Sequence, residues 1–295
     1  MIKSLKALCL CVLIAASAST SNAQSITLGG SDILRSYVAD TIKALAKKDR
    51  VDLKIDMRGT YAALEDLKNG QTDIALIAVP KGSQIPDGYV AFPVAYQTAV
   101  VIVNSINPLE DISTKQLYSI FSKNAEPHAE TWSQLGIKNQ ALRNVMAITT
   151  GFADNVIVEL FKYSAIGGTN IGPWVSVEPN KQVIYNMIKT NNSAIAVIGK
   201  ATDNNMIKVL AVSNSDADKN NSYAFKPDRD SIFNGDYPMV LPFYMIFKKE
   251  DAAKIKRVAR IILGNELAQK IDSTDFYSAP ENSRKKSIFE LDILK

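Results

Sequence analysis

The sequence predicts an α/β protein of two lobes, each a mixed sheet flanked by helices, with two strands crossing between them. Three observations carry this. Strand-like and helix-like segments alternate from Gln24 onward. The alternation comes in two series, separated by a Gly/Pro/Ser-rich break at Lys81–Gly88. A long apolar strand and further helices then follow the second series, and the simplest packing returns them to the first lobe.

The elements follow in order. Ile26-Thr27-Leu28 reads as a strand, and a helix from about Ser31 to Lys48 sets Ile33, Leu34, Val38, Ile42 and Leu45 on one face. Val51, Leu53, Ile55 and Met57 alternate with charged residues as a second strand. A helix from about Tyr61 to Asn69 stops at Gly70, a suitable glycine just past a helix end. Asp73–Val79 is a strand stopped by Pro80. This βαβαβ run implies parallel pairing with right-handed crossovers. Ala99–Val103 is the next strand, and Ser113-Thr114-Lys115-Gln116 is a capping box opening a helix through Phe121. Ala147–Thr149, Ala194–Ile198 and Ile207–Val212 read as strands, and Ala153–Tyr163 and Asn180–Lys189 as helices. Asn214–Asp236 reads as polar loop. Tyr237–Phe247 is an apolar strand, with helices at Glu250–Leu263 and Glu266–Asp272. The crossings fall near Val94–Ala99 and Tyr237–Leu241. The expected division is 1–23 signal peptide, 24–96 and 238–295 lobe I, and 97–237 lobe II. A cleft between lobes suits a small ligand, and two crossings permit hinge closure around it.

Lys3 and Lys6, the apolar run Ala7–Ala16 and the small-x-small site Ser21-Asn22-Ala23 form a secretory leader, cleaved near Ala23. The protein is therefore expected in the periplasm or outside the cell. Both cysteines, Cys9 and Cys11, fall within the leader, which removes disulfides and Cys-based metal sites from the mature chain. Losing 23 of 295 residues leaves 272, and losing two lysines reduces the net charge from +4 to +2. So small a balance argues against a nucleic-acid binder. With His128 as the single histidine, set in the polar stretch NAEPHAE and read as solvated, a transition-metal site is not expected. Asp216, Asp218, Asp228, Asp230 and Asp236 lack calcium-loop spacing and read as solvated surface. Hydrolase, P-loop and dinucleotide motifs are absent, so no enzyme and no cofactor are expected.

Three segments share one design: ITLGGSDILRSYV, IDMRGTYAALEDL and AITTGFADNVIVELF. Each runs a short strand through small or hydroxyl residues into an amphipathic helix. Backbone N–H groups left unpaired at such a helix start suit an anion or a strongly polar oxygen. The candidate ligand residues are Gly30 and Ser31 in the first junction, Gly59, Thr60 and Tyr61 in the second, and Thr149, Thr150 and Gly151 in the third. Ser31, Thr60 and Thr150 either contact a ligand or cap their helices. Gly151 either offers its N–H or serves the turn. Tyr61 and Phe152 either wall the cleft or are ordinary rim aromatics. Asp32 reads as structural: its carboxylate offsets the helix-end charge that an anion would use.

The chain resembles the type II periplasmic solute-binding proteins, specifically the phosphate-binding branch of ABC-importer substrate-binding proteins. The likeness runs from Ile26 to about Pro280. It rests on ITLGGSDIL, GTYAALEDLKNGQTDIAL, TTGFADNVIVELF, AIAVIGKATDNNMIKVLAVS and DYPMVLPFYMIFKK. The most specific stretch is AVVIVNSINPLEDISTKQLYSIFSKNAEPHAETWSQLG. The resemblance implies a monomeric receptor that captures a small polar or anionic solute and presents it to ABC-importer membrane subunits. It also implies an Asp after the third strand and an Arg in the third loop. Ala78 and about Met146 stand at those places. Each lost charge-assisted hydrogen bond is worth about 1.5–3 kcal/mol. Arg58, at the mouth of the second loop, is the candidate replacement cation. The alternative is a relative whose site has decayed, acting as a periplasmic sensor or adaptor through its surface.

Overall fold

The computed structural model describes residues 25–294, apart from 81, 140–141, 152–155, 203 and 215–222. The expected leader, Phe152, the start of the helix after it, Asp216 and Asp218 lie outside the described residues.

The chain opens with β1 (Ile26–Gly30), α1 (Asp32–Lys48), β2 (Leu53–Asp56), α2 (Thr60–Lys68), β3 (Ile74–Ala78) and β4 (Tyr89–Thr98). β1 pairs parallel with β2 on one side and β3 on the other, as the βαβαβ pattern requires. Leu34, Val38, Ile42 and Ala46, one per turn, bury the face of α1. α2 ends where Gly70 takes a positive φ of 70°.

The chain then passes through Ala99 into β5 (Val100–Asn104), β6 (Asp111–Ser113), α3 (Thr114–Phe121), β7 (Met146–Thr150), α4 (Val156–Ala165), β8 (Ser176–Glu178), α5 (Lys181–Thr190) and β9 (Ala194–Ile198). The capping box at α3 forms as read: the Ser113 hydroxyl accepts from Gln116 N–H at 3.2 Å, and Gln116 Oε1 accepts from Ser113 N–H at 2.9 Å. His128 is not simply solvated. Its ring stacks on Trp174 with centroids 3.9 Å apart.

The expected strand Ile207–Val212 divides at buried Leu210. β10 (Ile207–Val209) pairs with β5, and β11 (Ala211–Ser213) pairs with β6. Leu210 N–H still donates to Val101 O at 3.0 Å, so the change of sheet costs no backbone bond there. The segment read as polar loop holds β12 (Ala224–Phe225) and α6 (Arg229–Asn234). Asp228 is no mere surface acid: its carboxylate caps α6 by accepting from Ser231 N–H at 2.9 Å.

β13 (Val240–Lys248), α7 (Ala252–Ile262), α8 (Asn265–Asp272), β14 (Phe276–Ser278) and α9 (Glu281–Ile293) complete the chain. The first sheet runs β14-β4-β13-β3-β1-β2 and the second β10-β5-β9-β7-β8, with β12-β11-β6 beside it. The last strands thus rejoin the first sheet, with β13 antiparallel to both β3 and β4. One core surrounds the first sheet, with Leu28, Leu76, Phe243 and Phe247 buried. A second surrounds Trp132, Phe121 and Phe161. The indole of Trp132 is fully buried and donates to Ser193 O at 3.1 Å.

The two crossing segments are tied to each other. Ala99 N–H donates to Met239 O at 3.1 Å, and the Tyr237 hydroxyl donates to Ala99 O at 2.8 Å. Burial pushes the Tyr237 phenol well above its ordinary pKa, so it stays a donor.

Candidate functional site

The adjacency of β2, β1 and β3 brings the first two junctions and the end of β3 into one assembly. Gly30 ends β1 where no side chain fits: a Cβ there would lie 2.6 Å from Leu76 O and 2.9 Å from Met57 Cε. Its carbonyl accepts from Gly59 N–H at 2.9 Å. Gly59 has φ 142°, a conformation that favours glycine. Thr60 turns its hydroxyl to the neighbouring strand end, accepting from Ala78 N–H at 3.3 Å.

Ser31 stands at the N-cap position of α1, and its N–H donates to Leu76 O at 2.7 Å. Its side chain makes no capping bond. The hydroxyl is fully buried and has no partner among the described residues. Thr149, in β7 between Val177 and Val197, carries a second buried hydroxyl without a partner. A buried polar atom left unpaired costs about 1–3 kcal/mol, so each invites a functional reading. The helix starts at Asp32 and Thr60 also lack a side-chain cap.

The third junction faces the first across a cleft of about 790 Å³. Asp32 and Gln97 line one wall, and Thr150, Pro179 and Lys181 the other. Gly151 packs so close to Pro179 that a Cβ would lie 2.9 Å from the proline Cβ. Its lack of a side chain therefore serves packing. Lys181, Glu159, Gln97 and Asp275 are cleft residues that the sequence reading did not single out. Lys181 sits in a fourth strand–turn–helix junction, β8 into α5, where Asn180 caps the helix by accepting from Gln182 N–H at 2.9 Å.

The charges here largely cancel in pairs. Arg58, more than half exposed, is held by Asp56 at 2.9 Å and Asp66 at 2.7 Å. Glu159 pairs with Lys162 at 2.9 Å. Lys181 bridges the cleft to Asp275 at 2.7 Å and donates to Lys200 O at 2.6 Å. Beyond it Lys200 donates to Asp272 O at 2.7 Å and Phe276 O at 3.0 Å. Desolvation lowers the Lys200 pKa. Arg229 of α6 meets Asp272 at 2.7 Å. Burial works to raise the Asp272 pKa, but bonds from Ser278 and Arg229 outweigh it and leave the pKa lowered. Tyr61 is 78% exposed, an outward residue on the first turn of α2.

Two α/β lobes, a crossing ribbon and a polar cleft between them define a bilobal solute-binding fold. The chain matches the family model described as a PBP superfamily domain over residues 15–266, and it belongs to that family. Protein SphX of Synechococcus elongatus is 23% identical over 249 residues, covering 80% of this chain and 72% of that protein. A possible phosphate binding protein from Planctomyces limnophilus superposes with a TM-score of 0.69 at 18% identity, over 92% of this chain and 99% of that one. PstS from Borrelia burgdorferi gives 0.68 at 15% identity, over 86% and 98%. An ABC-type phosphate transport receptor from Vibrio cholerae gives 0.61 at 18%, over 86% and 99%. Among the described residues no helix is long and apolar enough to cross a membrane.

Proposed function

We propose that the protein is an extracytoplasmic receptor, not an enzyme, that captures a small polar or oxyanionic solute between its lobes and delivers it to an ABC importer. The observation that carries this is the buried, unpartnered Ser31 hydroxyl beside the uncapped start of α1. A ligand oxygen would satisfy both the hydroxyl and the free N–H groups of that helix end. The phosphate-binding names of the relatives support an oxyanion as the ligand class. Charged side chains at Ala78 and Met146 are replaced, so recognition falls to hydroxyls and backbone dipoles. Lobe I takes residues 24–96 and 238–295 and lobe II 97–237. This reading is supported by β4 and β13 lying side by side in the first sheet. The leader would end near Ala23, and the mature receptor would act as a monomer.

One observation favours the second reading, an adaptor with a decayed site: Arg58 is already neutralised by two carboxylates. A thermal-shift screen against phosphate, phosphonates, sulfate, molybdate and small organic acids separates the two. A ligand at 100-fold its Kd adds about 2.7 kcal/mol. A flat response across the panel rejects the receptor and favours the adaptor.

A further inference from the structure

Next to the polar cleft lies a second chamber of about 870 Å³. The two share Val156 and Glu159 of α4 in their walls, so they adjoin at that helix. The second chamber is walled by Leu241 and Pro242 of β13, Tyr96 of β4 and Phe233 of α6, among others. Glu159, at the join, is already paired with Lys162. A small inorganic ion would leave this space unused.

Two phenols line the chamber, Tyr96 and Tyr244. Tyr96 is 4% exposed, and its ring packs edge-on against Phe233 with centroids 6.2 Å apart. Burial raises the pKa of both phenols, and Tyr244 also acts on Tyr96, so the two hydroxyls lie in one neighbourhood and remain protonated donors. Neither hydroxyl has a hydrogen-bond partner among the described residues. Other buried phenols of the protein are satisfied: Tyr237 donates to Ala99 O, and the Tyr185 oxygen accepts from Thr202 N–H at 3.0 Å. Apolar walls with a few unspent donors are the usual make-up of an organic ligand site.

We propose that this chamber receives the hydrocarbon substituent of an organic oxyanion, so that the solute is a monosubstituted phosphonate or phosphate ester rather than inorganic phosphate. The inference rests on the oxyanion reading above. The head lies in the polar half with Ser31 nearby, the substituent lies against Leu241 and Phe233, and the two phenols donate to an acceptor on the substituent.

Calorimetric titration of the purified protein with inorganic phosphate, methylphosphonate, butylphosphonate and phenylphosphonate tests it. Affinity is expected to rise by about fourfold for each methylene buried. Phenylphosphonate is expected to bind at least tenfold tighter than methylphosphonate. Phe233, 38% exposed, can be cut back without opening the core. Phe233→Ala should weaken phenylphosphonate at least fivefold and leave methylphosphonate unchanged, the second ligand reporting that the fold is kept. Equal or weaker binding of the larger phosphonates, with phosphate and methylphosphonate still bound, overturns the inference and leaves the receptor reading standing. An equal loss for both phosphonates in Phe233→Ala also overturns it. Binding of none of the four overturns the inference, and a flat response across the wider screen overturns the receptor reading as well.

Discussion

Replacing Ser31 with alanine separates a ligand hydroxyl from a helix cap. An N-cap serine that bonds its helix loses about 0.5–2 kcal/mol on becoming alanine. Ser31 makes no such bond, so that loss does not arise here. Its hydroxyl is instead buried and unpaired, a state that costs about 1–3 kcal/mol. Ser31→Ala keeps the Cβ and removes only the oxygen. The free protein is therefore expected to hold its stability or gain up to about 1 kcal/mol. Near this chain length that is a rise of about 2 °C in Tm. The same change removes one donor or acceptor to the solute and should weaken binding about tenfold, the equivalent of about 1.4 kcal/mol. Urea denaturation of the free protein gives the first quantity and titration with the solute found by the screen gives the second. A loss of 1 kcal/mol or more in the free protein, with unchanged affinity, would make Ser31 a cap after all and refute the reasoning.

Gly30→Ala puts a methyl group 2.6 Å from Leu76 O and should cost about 1–3 kcal/mol, read as a drop of several degrees in a thermal melt. Tyr237→Phe leaves Ala99 O without its hydroxyl donor and should cost about 1–2 kcal/mol in urea unfolding; no change would show that water replaces the bond. For Asp272, whose pKa is lowered in the fold, the stabilisation is present above the unfolded value near 3.9 and fades as pH falls through the folded value. The difference in urea midpoint between the parent and Asp272→Asn should thus be largest near neutral pH and close as pH falls below the unfolded value. A constant difference would exclude the ionised form as its source.

Both sheets were legible because their segments carry clear patterns. Leu34, Val38 and Ile42 mark a helix face, and AIAVI in β9 and DIALIAV around β3 are apolar runs of strand length, stopped by Gly199 and Pro80. The C-terminal β14 and α9 escaped because their burial is not apolar in pattern. α9 buries Arg284, whose guanidinium donates to Ala279 O, Leu263 O and Asn265 Oδ1. In a sequence that residue reads as surface. At the site, the three junctions could be located, but the partners of their side chains could not. Whether Ser31 caps its helix depends on a hydroxyl rotamer. Arg58 meets Asp66 only because α2 folds back beside the turn. Lys181 follows a strand of three residues, too short to announce a junction.

The bond from Ala99 to Met239 and the one from Tyr237 to Ala99 make the two crossings a single ribbon. Two separate tethers would let the lobes slide, shear or splay. A ribbon riveted at its midpoint permits bending and twisting about one line and resists the rest. Closure of this receptor should then resemble a door on one pin, with each lobe travelling as a rigid leaf. The geometry in which the first junction faces the third across the cleft would return the same way in every cycle.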